Sequence, residues 1–127
     1  MKRLIQGVLL LGVMLLELEA SSYEEALLGA RKESKPLLLV VCPKETMRCR
    51  QSEREILPHP ALQATLHSYH FLRLEPKEAP SGLKTPIFPS YYIIDSVKGE
   101  VIRELWGHQS VIRLKLFLEG KVVPTTP

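Results

Sequence analysis

Five consecutive aliphatic residues, Leu37–Val41, stand between Pro36 and Pro43. A strand with one wet face alternates apolar and polar residues. A continuous run suits a strand covered on both faces, which requires layers above and below the sheet. Lys35-Pro36 ends whatever precedes the run, because the residue before proline disfavours the α region. After the run come a short polar loop and a segment with helical character, from about Thr46 to Leu57. Cys49 falls in the first turn of that helix.

The flanking segments supply the layers. Ser22-Tyr23-Glu24-Glu25 reads as a capping box, with Tyr23, Ala26, Leu27 and Ala30 at helical spacing behind it. Pro58 and Pro60 interrupt the Thr46–Leu57 helix, and Pro60 suits the first position of another helix through His67. Phe71 to Leu74 reads as a short strand, and Pro76 to Lys84 as a loop. Ser90 to Ile94 and Glu100 to Leu105 read as strands joined by a hairpin with Gly99 late in its loop. Gln109 to Glu119 closes as an amphipathic helix. The order is a parallel unit with a crossover, then a hairpin covered by a helix. It predicts an α/β fold with a central four-stranded mixed sheet flanked by helices.

This order resembles the thioredoxin superfamily, and most closely its exported members that begin with a helix, Lys-Pro and a strand. The resemblance runs ungapped from Lys35-Pro36 through Cys49 to Leu57. Phe88-Pro89-Ser90, followed by Tyr91 to Asp95 and Gly99, resembles the family's cis-proline segment, strand and turn. Trp106-Gly107 resembles its bend before the last helix. The resemblance implies that Pro89 is a cis-proline facing Cys49, with Pro86 as the competing position. It also implies that Phe88 and Pro89 belong to a segment that docks extended peptides.

The family's active site reads Trp-Cys-x-x-Cys. Here the four cysteine-motif positions are Thr46, Met47, Arg48 and Cys49, so the first cysteine is a threonine. The tryptophan aligns with Glu45, and the buried acid of the first strand aligns with Val40. Without that acid, proton transfer in an exchange cycle lacks its usual base. The site is therefore expected to be degenerate. Thr46 and Cys49 also resemble the Thr-x-x-Cys of peroxiredoxins, but Pro43 is one residue late for that motif and the chain is short for that family.

Cys42 and Cys49 are the two cysteines, seven residues apart. A disulfide needs Cα atoms ~4.4–6.8 Å apart. Spacing alone leaves open whether a strand end and a helix start approach that closely. Cys49, flanked by Arg48 and Arg50, is expected to have its thiolate favoured by the helix terminus and by these charges. The competing reading makes both cysteines small buried side chains.

Lys2-Arg3, the apolar run Leu4–Leu16 and Ala20 read as a signal peptide over residues 1–20. At 13 residues the run is short of the ~20 needed to span a membrane, so membrane attachment is expected only if this segment stays uncleaved. Residues 21–127 then form one domain with a frayed tail from about residue 121. Loss of Lys2, Arg3, Glu17 and Glu19 leaves the net charge at +3. No basic block or aromatic ladder accompanies it, so no nucleic-acid surface is expected. His59, His67, His70 and His108 are scattered, so no metal or other cofactor is expected. The expected protein is a periplasmic or secreted monomer. Cys49, with Cys42 as partner and Thr46 as neighbour, would act on the thiols of a client or partner protein. The alternative is a non-catalytic peptide-binding module that uses the groove beside Pro89.

Overall fold

A computed structural model describes residues 21–121 and 123. The segment read as a signal peptide, and most of the tail, lie outside the described residues. Helix α1 spans Ser22–Lys32. Its N-cap is Ser21, one residue earlier than the capping box placed it: the Glu24 N–H donates to Ser21 Oγ at 3.1 Å. Two adjacent serines offer the same chemistry. Capping from Ser21 begins the helix one residue sooner, and Ala26 and Ala30 are its buried positions.

The sheet is four-stranded in the order β2-β1-β3-β4. Strand β1 (Leu37–Val41) is buried along its whole length, as the unbroken apolar run requires. Strand β2 (His70–Leu74) pairs parallel to it and starts one residue before the expected Phe71. Strand β3 (Ser90–Ile94) pairs antiparallel on the other side. Strand β4 (Val101–Trp106) forms the far edge, with a register shift at Ile93/Ile94. Helix α2 (Met47–Gln51) runs straight into a π-helical stretch, Ser52–Ile56. There the Leu57 N–H reaches back five residues to Ser52 O at 2.8 Å. Helix α3 (Pro60–Leu66) opens on Pro60, with His59 Nδ1 accepting from the Ala61 N–H. A single 3-10 turn, Pro76–Glu78, lies in the expected loop. Helix α4 (Val111–Leu118) closes the described chain, capped by Ser110.

Alternation along β1 splits the core. Leu38 and Val40 face Cys49, Leu62, Tyr91, Ile93, Leu114 and Phe117 on one side. Leu37, Leu39 and Val41 face Ala26, Ala30, Tyr92 and Ile94 on the other. Helix α1 therefore covers one face of the sheet, while α2, α3 and α4 cover the face that carries the cysteines.

Edge strand β2 is held to the C-terminal cap of α1 by a side-chain hydrogen bond. His70 Nδ1 meets Glu33 Oε1, and Lys35 Nζ approaches the same carboxylate at 3.6 Å. The ring lies over Gly29, where a Cβ would come within 3.0 Å of His70 Cε1. The His70 hydrogen bond, with the charges of His70 and Lys35, holds the Glu33 carboxyl below the usual glutamate range against a smaller desolvation. A depressed carboxyl stabilises the fold above its unfolded pKa and loses that contribution as pH falls through the folded value. The urea midpoint should therefore fall as pH drops below about 4.3. Glu33→Gln should flatten that part of the profile. An unchanged slope in the variant would remove Glu33 from the acid limb.

Candidate functional site

Cys42 follows the last residue of β1, and its N–H extends the parallel ladder to Leu74 O at 3.0 Å. Cys49 is the third residue of α2. The loop between them folds back far enough to set their Cα atoms 5.8 Å apart, and they form a disulfide. The spacing that left bonding open is thus resolved by loop shape. Each cysteine is 1% exposed and packs in the core with Val40, Leu62 and Tyr91.

The loop has its own framework. Thr46 is the N-cap of α2, but its side chain caps nothing; Thr46 Oγ1 donates to Pro43 O at 3.1 Å. Arg50 turns back over the loop, with Nε donating to Lys44 O and Nη2 to Glu45 O, each at 3.3 Å. From the far side Arg73 Nη2 donates to Cys42 O at 3.0 Å. The sequence suggested Arg50 as a charge favouring the Cys49 thiolate. In the structure its planar fork donates to two loop carbonyls.

One helical turn beyond Cys49, Ser52 Oγ and Tyr91 Oη share a buried hydrogen bond of 2.7 Å. Burial raises the Tyr91 pKa, and the Ser52 bond opposes that rise. Val40, the position aligned with the family's buried acid, pairs in register with Tyr91. A neutral hydroxyl pair therefore lies on the face where a carboxylate was missing. Sequence reasoning overlooked both residues. The usable clue was a tyrosine in an otherwise apolar, fully buried strand, since a buried hydroxyl needs a partner.

Val41 pairs with Ser90, so Cys42 and Pro89 come next in that antiparallel register. The Phe88–Pro89 bond is cis. Pro89 is buried, and Phe88 packs against both core layers. Ser90 Oγ donates to Ile87 O at 2.7 Å, and the Gly107 N–H donates to Pro89 O at 2.8 Å. Gly107 can make this turn because it holds φ at 90°, a region open to glycine. The geometry thus gathers Cys42, Cys49 and Thr46 into one loop and sets Phe88 and Pro89 beside it. Among the described residues, no three His, Cys, Asp or Glu side chains form a metal-binding group.

Solved structures share this architecture. A thioredoxin from Thermus thermophilus superposes with a TM-score of 0.66 at 17% identity, over 79% of this chain and 83% of that one. The fold is thioredoxin-like. The C-terminal domain of DsbD from Neisseria meningitidis matches in its reduced form with a TM-score of 0.63 at 19% identity, over 80% of this chain and 95% of that one. Its oxidised form matches with a TM-score of 0.60 at 16% identity, over 77% and 90%. No family model matches the sequence, and comparison with curated proteins gave no match.

Proposed function

We propose that this chain is an exported thioredoxin-like protein whose Cys42–Cys49 disulfide serves thiol–disulfide exchange, or an accessory step to it, with a partner protein. The observation that carries this reading is the place of the disulfide. It bridges the end of the central strand and the first turn of the following helix, beside the cis Phe88–Pro89 segment. The pair is displaced, because Thr46 holds the position of the first cysteine in the usual motif.

The chemistry follows from the two environments. Cys49 lies where backbone N–H groups of a helix start favour a thiolate, so it is the better leaving group. A partner thiolate attacks Cys42 Sγ. The S–S bond breaks, its electron pair stays on Cys49 Sγ, and the partner sulfur joins Cys42. The partner's second thiolate then attacks its own sulfur in that mixed disulfide and expels the Cys42 thiolate. Two electrons have passed from the partner dithiol to the Cys42–Cys49 pair. Phe88 and Pro89 border the site as the docking segment, and Thr46 shapes the loop through Pro43. Because both cysteines are buried, attack needs movement of the neighbouring chain.

That burial favours a second reading, in which the disulfide only braces a peptide-binding module. Thiol counting during reduction by excess dithiothreitol in native buffer separates the two. Exchange predicts two thiols while near-UV circular dichroism stays folded. Thiols that appear only with loss of the folded signal would sink exchange and leave the binding module.

The export half of the proposal rests on Lys2-Arg3, the apolar run and Ala20. On this reading the protein works in the periplasm or outside the cell. Intact mass of the protein expressed in a Gram-negative host should correspond to a chain starting at Ser21. A retained Met1 in the membrane fraction would point to an uncleaved anchor.

A further inference from the structure

On the cysteine-bearing face, the helix from Met47 to Ile56 lies beside edge strand β2. Arg50, Arg54 and Leu57 recur along one side of this helix and its end. Phe71 and Arg73 face them from β2, and Lys44 closes one end. Together they line an open groove of about 560 Å³. Four of these side chains are cationic. Glu53 pairs with Arg73, and Glu75 approaches Arg73 Nη2 at 3.6 Å. The Arg50 guanidinium is held by carbonyls, which leave its charge in place. Among the described residues, Lys44 and Arg54 have no carboxylate partner. The groove is therefore net positive, and its floor is apolar. Phe71, at 47% exposure, is one of the larger exposed hydrophobic side chains of the described protein.

Among the described residues, the backbone beside the groove has no partner on its outer side. The His70 N–H donates to Pro36 O and Leu74 O accepts from the Cys42 N–H. Residues 70, 72 and 74 thus point their backbone groups at β1. By alternation Phe71 and Arg73 turn theirs outward, and β2 is the edge of the sheet. An edge strand with outward N–H and C=O groups is a template for an extended chain.

We propose that this groove and the outer edge of β2 dock an acidic, extended segment of a partner protein. Its backbone pairs with Phe71 and Arg73. Its carboxylates meet Lys44 and Arg54, and an aromatic or aliphatic side chain lies on Phe71 and Leu57. Charge complementarity selects the acidic partner, and the open edge selects an extended peptide over a free anion.

The test uses the full chain and a fluorescein-labelled peptide, Glu-Asp-Phe-Glu-Asp-Val-Glu, followed by anisotropy at low salt. The peptide has no cysteine, so the result is independent of whether Cys42–Cys49 exchanges. The proposal expects saturable binding that weakens with added salt, and no binding of the peptide with lysine at each acidic position. Lys44→Glu with Arg54→Glu, both at exposed positions, should weaken binding about tenfold or more. N-methylation of alternate peptide amides should weaken it similarly, because edge pairing uses those donors. Binding unchanged by the charge reversal would overturn the site. Displacement of the peptide by equimolar citrate or inorganic phosphate would overturn the peptide in favour of a free anion. Indifference to N-methylation would overturn pairing with β2.

Discussion

Removing the disulfide with Cys42→Ala and Cys49→Ala should destabilise the domain by roughly 2.5 kcal/mol, the loop-entropy contribution for a ring this small. The bond joins residues separated by seven positions, so the ring is short and its contribution sits at the low end of the usual range. In a domain of this size the melting temperature should drop by on the order of 10 °C. Reduction of the wild type should lower the urea midpoint in the same direction. Equal midpoints for oxidised protein, reduced protein and the double variant would mean that the bond does not form in solution. Alanine is the better replacement here, because a serine hydroxyl in this core would need a hydrogen-bond partner.

Leu38→Ala should cost about 2–5 kcal/mol, the range for emptying a fully buried leucine position. Leu38 is 0% exposed and belongs to the core cluster that contains both cysteines. Ile102, at 52% exposure on edge strand β4, is the control. Ile102→Ala should stay within about 0.5 kcal/mol. Chemical denaturation of both variants checks the contrast. A mild Leu38 effect would mean that the sheet face under the disulfide is looser than its burial implies.

The fold was legible because its strongest signals are local. The apolar run of β1 has one good explanation, and the prolines at 36, 58 and 60 bound elements by geometry alone. The two hairpin strands followed from composition and Gly99, the second expected over Glu100–Leu105 and found one residue later, over Val101–Trp106. What the sequence left open depends on three-dimensional approach. The Cys42–Cys49 distance is decided by the loop from Pro43 to Thr46, whose shape rests on carbonyl contacts with Arg50 that spacing does not encode. The choice between Ser21 and Ser22 as cap turned on one hydrogen bond. The π-helical stretch after Gln51 shifts backbone partners by one residue and leaves the apolar pattern readable as an ordinary helix. The Ser52–Tyr91 pair joins residues 39 positions apart and had no sequence motif to mark it.

The closed ring of Cys42 to Cys49 also changes what a protease would leave behind. Lys44 and Arg48 are both exposed, and both lie between the two bonded cysteines. A trypsin cut after either one severs the backbone but separates nothing, because the sulfur bridge spans the nick. The fragments stay covalently joined, and β1 on the first fragment stays paired to β2 and β3 on the second. Cleavage at this loop is invisible on a non-reducing gel and appears as two pieces only after the disulfide is opened.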